Sequence, residues 1–287
     1  MKLGISSYSL YQAVQREGWT ILDIIEWIAE NGGEHAEIVP LEYDLLEQPE
    51  LADRIREKAA QCGIELSNYA IGANFVTESD EAYLAEIERV KKHVELAHRM
   101  GIRLMRHDAA SRPLPETTIS RFEADLERVA EACRQVADHA ASYGIVTSVE
   151  NHGYYIQHSD RVQRLVERVG RDNFRTTLDV GNFLCVDELS VPAVSKNIPI
   201  ASMVHVKDFY VRPSYRNPGE GWFRSAGGSY LRGAIVGQGD IDMPEVLRIV
   251  KASGYDGYVS IEFEGMEDCR QGARIGMDYV RAMWKEL

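Results

Sequence analysis

The stretch Tyr143–Gly153, YGIVTSVENHG, contains the pattern from which the fold can be worked out. A glycine typical of a helix C-terminus leads into a β-rich run, which ends on the polar residues Glu150, Asn151 and His152. The segments AENGG, RMGI and KASGY also place glycine between a helical pattern and an apolar run. The sequence therefore indicates a repeated helix–strand unit.

Eight short β-rich runs alternate with longer amphipathic segments. Strands are predicted at Lys2–Ser6, His35–Ile38, Glu65–Tyr69, Leu104–Arg106, Val146–Glu150, Arg175–Asp179, Met203–Lys207 and Tyr258–Glu262. Helices are predicted at Ile21–Glu30, Leu51–Gln61, Glu81–Met100, Thr117–Tyr143, Ser159–Val169, Val191–Lys196, Met243–Ser253 and Arg270–Trp284. This alternation predicts an α/β protein, a (β/α)8 TIM barrel forming a single domain over residues 1–287. A doubly wound open sheet is the alternative, but no GxGxxG follows the first strand.

Composition and charge exclude several classes of protein. The net charge of -13 disfavours general binding to nucleic acid, whose phosphates it would repel. No apolar run approaches the roughly 18 residues that cross a membrane, and the N-terminus does not resemble a secretory signal. The four cysteines are scattered and form no CxxC pair, so we expect reduced thiols in a cytoplasmic protein.

One long segment, residues 209–240, is predicted to be irregular. It follows the seventh strand, and a segment of this length in a compact domain is usually functional or mobile. Gly237 and Gly239 near its end could suggest a phosphate-binding loop. The capping residues Asp242 and Glu245 follow at once, so we interpret the glycines as turning the chain into the next helix.

Polar side chains end four successive predicted strands. Glu150, Asp179 and Glu262 end strands five, six and eight, and His205 lies near the end of strand seven. Because the C-terminal ends of parallel barrel strands share one face, these side chains can converge there. Residues two apart point the same way, so the small residues Ser148, Thr177 and Ser260 should share that interior.

Three clustered carboxylates would repel one another in a low-dielectric site. A divalent cation is the simplest group that would neutralise them, and three oxygen ligands with one imidazole suit such an ion. We expect one divalent metal ion, with Mn²⁺ foremost and Mg²⁺, Co²⁺ and Zn²⁺ as alternatives. Taken singly, each of the four residues could equally be a salt-bridged or solvated strand end.

Five motifs together resemble the xylose isomerase-like, or sugar phosphate isomerase/epimerase, TIM barrels. They are SVENHG at 148–153, TTLDVGN at 176–182, VHVKD at 204–208, GQGDID at 237–242 and YVSIEFEG at 258–265. The resemblance covers nearly the whole chain. It implies a metal held by Glu150, Asp179, His205 and Glu262, with Glu150 and Glu262 serving as the acid/base pair as in ketose epimerases.

The chain departs from this family at Asn182. The DNA-repair endonuclease branch and some epimerases carry a histidine three residues after the strand-six aspartate, where this sequence has Asn182. That change removes one ligand of a multi-zinc cluster and weakens an AP-endonuclease-like phosphodiesterase interpretation. We place Asn182 among the residues that contact substrate.

Further candidates surround these four residues. Lys207, two residues after His205, could stabilise an enediolate, or it could be a surface lysine. Candidate substrate-binding residues are His152, Arg106 and Glu37 at strand ends and Arg212 in the long segment, which resembles an epimerase arginine. A capping histidine and a structural ion pair are equal alternatives for His152 and Arg106. Trp222 and Phe223 could form an apolar surface against one face of a sugar, or they could hold the long segment in place by packing.

These residues predict an isomerase or epimerase acting on a sugar or keto-sugar. One glutamate would remove the proton beside a carbonyl, and the metal with Lys207 would stabilise the enediolate before the proton returns. A metal-dependent lyase or dehydratase acting on a keto-sugar, keto-inositol or keto-glycoside is the alternative. The expected partner is a small-molecule carbohydrate, with no nucleic acid and no membrane, and a homo-oligomer remains open.

Overall fold

The eight predicted strands form one closed parallel barrel in a computed structural model that describes all 287 residues. The barrel strands are β1 (Lys2–Ser6), β2 (His35–Ile38), β3 (Glu65–Ile71), β4 (Leu104–His107), β5 (Val146–Glu150), β6 (Phe174–Asp179), β7 (Ala201–Val206) and β11 (Tyr258–Ile261). They pair in chain order around the cylinder, and β11 closes it between β7 and β1. The predicted (β/α)8 fold is therefore confirmed.

Nine α-helices accompany the barrel. They are α1 (Tyr11–Glu17), α2 (Ile21–Glu30), α3 (Glu50–Cys62), α4 (Asp80–Arg99), α5 (Ile119–Ala141), α6 (Ser159–Val169), α7 (Ser190–Asn197), α8 (Met243–Ala252) and α9 (Cys269–Glu286). The prediction missed α1, a short helix that directly follows a 3-10 turn at Ser7–Leu10. None of these helices combines the length and the apolarity that crossing a membrane requires.

The core lies between the barrel and its helices. Val149, Leu178, Val204 and Ile261 are at most 1% exposed and belong to one cluster of 69 buried apolar residues. On the helix side, α4 contributes a stripe of apolar residues spaced three and four apart, as the sequence predicts. Burial of both barrel faces explains why charged side chains occur in these strands only near their ends.

Strand register aligns the polar ends of the central strands. Asp179 of β6 lies opposite His205 of β7, and His205 lies opposite Ser260 of β11. Inside the barrel, the hydroxyls of Ser148 and Thr177 meet at 2.8 Å. The small hydroxylated residues therefore share the interior with the strand-end residues, in accordance with the two-residue alternation.

The segment between β7 and α8 is more ordered than predicted. It forms a three-stranded antiparallel sheet of β8 (Asp208–Arg212), β9 (Phe223–Arg224) and β10 (Tyr230–Ala234), with β10 in the middle. Phe209 and Leu231 pack with Cys185 into a separate buried cluster. The strands were missed because β8 follows the barrel strand after one residue and its partner β10 is distant in sequence.

A buried carboxylate fixes the glycine turn at the end of this segment. Asp208 Oδ2 accepts hydrogen bonds from the backbone N–H groups of Gly237 and Gly239, each at 3.0 Å. Asp208 Oδ1 also accepts from the N–H of Phe209 at 2.9 Å. The turn leads into α8, where the Asp242 side chain caps the N–H of Glu245.

The interior at the N-terminal end of the barrel leaves no room for a side chain at Gly4. A Cβ at this position of β1 would lie 2.1 Å from the carbonyl oxygen of His35 and 2.7 Å from its ring. His35 itself is fully buried, with Nε2 3.1 Å from the carbonyl oxygen of Val259.

We predict that Gly4→Ala destabilises the protein, because neither a backbone oxygen nor a buried ring can move aside cheaply. The expected loss is about 1–3 kcal/mol of unfolding free energy, typical of overpacking, measured by denaturant unfolding. Gly72→Ala is the control, since a Cβ there meets only Asp108 Oδ2 at 3.8 Å. Equal stability of the two variants would contradict this account of the barrel interior.

Candidate metal centre

Four buried residues from neighbouring strands meet at the C-terminal face of the barrel. They are Glu150 at the end of β5, Asp179 at the end of β6, His205 in β7 and Glu262 just after β11. One ligand atom from each lies within 4.8 Å of all the others. The exposed fraction is 8% for Glu262 and 3% or less for the other three. This group could hold a metal ion.

The state of the ligand atoms fits a cation. Asp179 Oδ2, His205 Nδ1 and Glu262 Oε2 are all buried and form no hydrogen bond of regular geometry, although the Lys207 ammonium approaches Oδ2 and Oε2 to 3.3 and 2.8 Å. His205 Nδ1 lies 3.5 Å from Glu262 Oε2, 3.8 Å from Glu150 Oε2 and 3.9 Å from Asp179 Oδ2. Unsatisfied buried polar atoms are rare in folded proteins, so several that face one another indicate a bound group that satisfies them.

Glu37 orients the imidazole from behind. The sequence placed it at the mouth as a substrate-binding residue, but the structure places it beneath His205, fully buried, 2.9 and 2.8 Å from Nε2 through its two oxygens. Asn68 Nδ2 also donates to Glu37 at 2.8 Å. A carboxylate on Nε2 leaves Nδ1 to face the cluster, as in histidines that bind metals. β2 has the predicted bounds, His35–Ile38, but the Glu37 side chain reaches across the barrel interior to His205 of β7 instead of the mouth.

Glu150 is held on both oxygens. Arg106 Nε donates to Oε2 at 2.7 Å, and Asn182 Nδ2 donates to Oε1 at 2.9 Å. Arg106 is also paired with Asp108 at 3.2 Å. Arg106 lines the cavity, where a substrate contact was expected, whereas Asn182 is buried and does not line it; each is bonded to Glu150, a ligand of the candidate metal.

Lys207 is buried in the cluster rather than exposed at the surface. Its Nζ lies 2.8 Å from Glu262 Oε2, 3.3 Å from Asp179 Oδ2 and 3.3 Å from Glu264 Oε1. Asn182 Oδ1 accepts a further hydrogen bond from Nζ at 3.2 Å. The surface-lysine alternative is therefore excluded by the structure.

Opposing charges set the protonation of this cluster. Burial alone would raise the pKa of Glu262, but the Lys207 ammonium and the His205 imidazole hold it well below its usual value. Burial would lower the pKa of His205, yet Glu37 and Glu262 raise it well above its usual value. Lys207 and His205 thus favour the ionised form of Glu262.

Asp179 is the exception among the carboxylates. Burial raises its pKa to about 7, and the opposing Lys207 ammonium lowers it only in part. Its Oδ1 accepts the N–H groups of Gly181 and Asn182 at 2.7 and 2.9 Å, while Oδ2 faces the cluster. A divalent cation beside Oδ2 would stabilise the ionised form of Asp179.

A cavity of about 200 Å³ opens above the cluster. Its lining residues are Tyr8, Val39, Ala70, Arg106, Glu150, His152, His205, Lys207, Glu262 and Glu264. His152 stands at the mouth, with its side chain 49% exposed and Nδ1 3.4 Å from Asp108 Oδ1. The volume suits a small molecule, since it equals about seven water molecules at roughly 30 Å³ each.

Arg212, Trp222 and Phe223 do not line this cavity. Arg212 lies in the small sheet, where it is paired with Asp240 at 3.2 Å and stacked on Trp222 with 5.5 Å to the ring centroid. Phe223 packs edge-on against Phe209. The structure therefore places the expected substrate-binding arginine in a packing role, because β8 continues as a strand instead of folding back over the mouth.

Sequence reasoning missed several residues of the site. Asn151 exchanges two hydrogen bonds with the backbone of Asp179, at 2.8 and 2.9 Å, and so joins the ends of β5 and β6. Asp108 pairs with both Arg106 and His152. Glu264 forms an ion pair with Lys207, which also contacts Asp179 and Glu262. Asn151 and Glu264 were visible beside the ligands in SVENHG and IEFEG, but only coordinates show what they contact.

Comparison with known proteins agrees with this geometry. A family model described as a xylose isomerase-like TIM barrel matches residues 25–283. The chain belongs to this family. Four of the five motifs that suggested the resemblance hold one clustered residue each; the fifth, GQGDID, forms the glycine turn before α8.

Relatives of this xylose isomerase-like barrel include dehydratases and epimerases. The chain is 25% identical over 195 residues to inosose dehydratase of Yersinia enterocolitica, a match that covers 62% of this chain and 63% of that relative. The probable 3-DHS dehydratase of Bacillus anthracis superposes with a TM-score of 0.75 at 16% identity, covering 98% and 99% of the two chains. The 3-keto-D-glucoside 4-epimerase of E. coli gives 0.74 at 18% identity with the same coverage. At these identities the solved structures establish the fold.

We predict that Glu37→Gln weakens Mn²⁺ binding by about 10–100-fold, because a neutral amide no longer fixes the imidazole or raises its basicity. Isothermal titration of metal-stripped protein with Mn²⁺ measures the change. Glu47→Gln, which removes an exposed carboxylate elsewhere, is the control and should bind as the wild type does. Unchanged affinity in Glu37→Gln would mean that His205 does not ligate the ion.

Proposed function

We propose that this protein is a metal-dependent isomerase or epimerase that moves a proton next to the carbonyl group of a small sugar or keto-sugar. The observation that carries the proposal is the pair Glu150 and Glu262, two carboxylates that line one cavity and belong to one candidate metal centre. Glu150, Asp179, His205 and Glu262 would hold one divalent cation, Mn²⁺ foremost. Such an ion polarises a carbonyl oxygen and so acidifies the adjacent C–H.

Glu262 is the better placed of the two to accept the proton. Its Oε2 lies 2.8 Å from the Lys207 ammonium but its Oε1 forms no hydrogen bond, whereas both oxygens of Glu150 are already bonded, to Arg106 and Asn182. We assign proton removal to Glu262 and proton return to Glu150 in its protonated form, after which Glu262 releases its proton to solvent and Glu150 takes one up. A carboxylate with a free oxygen can approach a substrate C–H without first breaking a protein contact.

Lys207 supplies positive charge where negative charge develops. Its ammonium, 2.8 Å from Glu262, lies beside the group that removes the proton. As the proton leaves, the carbonyl oxygen gains negative charge, and a fixed ammonium in a dry site stabilises it at no cost of reorganisation. Burial of Lys207 to 3% exposure provides this low-dielectric setting.

The relatives support a carbohydrate substrate. The names of the sequence relative and of solved structures with this fold refer to inosose, a keto-glucoside, D-psicose and L-ribulose. The chain spans 63% of the length of the curated relative, and it is at most 25% identical to that relative and to the two solved structures described above. The transfer of a carbohydrate substrate to this chain is therefore part of the proposal.

Dehydration is the second candidate, and two observations favour it. The curated relative is an inosose dehydratase. His152, near Asp108 at the mouth, could protonate a leaving hydroxyl, because burial would lower its pKa but the Asp108 carboxylate raises it. Proton removal by Glu262 would then be followed by loss of water from the β-carbon instead of by reprotonation.

We predict that Glu262→Gln lowers kcat by about 10²–10⁴-fold with a smaller change in KM, since the variant loses its general base. Turnover is followed as deuterium incorporation from D₂O into keto-sugars at saturating Mn²⁺, with metal content measured for each protein. Glu220→Gln, at an exposed position outside the cavity, is the matched control. An unchanged kcat in metal-replete Glu262→Gln protein would refute the assignment of the base.

The products of the same reactions separate the two candidates. Deuterium incorporated into a sugar that keeps all its carbons and hydroxyls identifies an isomerase or epimerase. Formation of an unsaturated product that has lost water identifies a dehydratase. If none of the keto-sugars tested incorporates deuterium or loses water, the proposed function is refuted.

A further inference from the structure

Glu264 is the third carboxylate that lines the cavity, besides Glu150 and Glu262, and it lies outside the metal group. It follows Glu262 by two residues, beyond the end of β11, and its side chain is 30% exposed toward the cavity. Its one cationic neighbour is Lys207, at 3.3 Å, which also serves Glu262 and Asp179. A cation bound by the four ligands would leave the negative charge of Glu264 on the wall.

Each cation of the cavity already faces a carboxylate. Arg106 is paired with Glu150 at 2.7 Å and with Asp108 at 3.2 Å. His152 lies 3.4 Å from the same Asp108. An anionic group on a substrate would therefore have to displace a buried carboxylate from its partner, which would leave that carboxylate uncompensated.

The glycine turn that leads into α8 does not offer an anion site. The glycine turn of GQGDID is the segment whose N–H groups could cradle a phosphate, but Gly237 and Gly239 donate to Asp208 instead, at 3.0 Å each. A Cβ at Gly239 would lie 2.1 Å from Asp208 Oδ1, so the turn is closed tightly around this carboxylate. The glycines here serve an internal acceptor.

We infer that the site takes an uncharged polyhydroxy carbonyl compound, and that Glu264 selects it by accepting a hydrogen bond from a hydroxyl remote from the reacting carbons. This inference rests on the proposed function and narrows its substrate class. Tyr8, on the same wall, adds a phenol that can bond a second hydroxyl. A phosphate or carboxylate in the same place would face Glu264 with like charge, which disfavours binding.

The experiment compares neutral probes with anionic counterparts on the Mn²⁺-supplied protein. The neutral probes are D-fructose, D-tagatose and a keto-inositol. The anions are the terminal phosphate esters of the two ketoses and a keto-aldonate. Deuterium incorporation from D₂O reports turnover, and the shift in melting temperature reports binding separately. Wild-type protein should prefer each neutral ketose over its phosphate by at least about tenfold in kcat/KM and in affinity.

Glu264→Gln tests the residue itself. An amide still bonds a hydroxyl but makes a weaker hydrogen bond than a carboxylate, so KM for the neutral probes should rise about tenfold. Because the negative charge is lost, the ratio of kcat/KM for each ketose to that for its phosphate ester should fall. Glu220→Gln, which removes an exposed carboxylate from the segment between β8 and β9, should leave both values unchanged. Melting temperatures of the two variants without sugar establish that both are folded.

The outcomes separate this inference from the proposed function. Preference for a phosphate ester or the keto-aldonate, or unchanged discrimination in Glu264→Gln, overturns the inference while the proposed function stands. If no probe incorporates deuterium or loses water, the proposed function fails, and the binding preference still decides the charge of the ligand. Failure of every neutral probe to bind overturns the inference as well.

Discussion

The compensation of charge among buried carboxylates is the constraint on which this site depends. Glu37, Glu150, Asp179 and Glu262 lie within one small volume, each at most 8% exposed. Leaving even one such charge unpaired in a protein interior costs several kcal/mol, so cations must accompany them. His205, Lys207 and Arg106 supply that charge in the protein itself, and the unsatisfied atoms between them are suited to a divalent ion.

The barrel enforces this proximity through backbone geometry. Parallel strands bring their C-terminal ends to one face, and register sets Asp179 beside His205. Asn151 then ties β5 to β6 through two backbone hydrogen bonds. Gly181 allows the chain after β6 to pass close to Lys207, since a Cβ at position 181 would lie 2.9 Å from the carbonyl oxygen of Lys207. The residues around the four candidate ligands therefore serve mainly to keep the mutually repelling carboxylates close to one another.

Under the proposed function, the residues above the ligands would select the substrate. Glu264, His152 and Asp108 all lie just beyond strand ends, where a barrel can vary its chemistry without disturbing its core. Relatives with the same fold are named as epimerases and as dehydratases, reactions that both begin with proton removal beside a carbonyl. Such reactions would be distinguished by the residues that contact the remote hydroxyls and the leaving group, and not by the four candidate metal ligands.

The sequence by itself determined the fold and the four clustered residues, because strand and helix periods are local and parallel strands leave few arrangements. It also placed Lys207 inward from its two-residue spacing to His205. Tertiary structure decided what side chains reach across the barrel: Glu37 bonds the imidazole from behind, and Asn182 joins Glu150 to Lys207. Tertiary structure also decided that the long segment forms a three-stranded sheet, in which Arg212 pairs with Asp240. Such pairings depend on distances between residues remote in sequence, which no local pattern encodes.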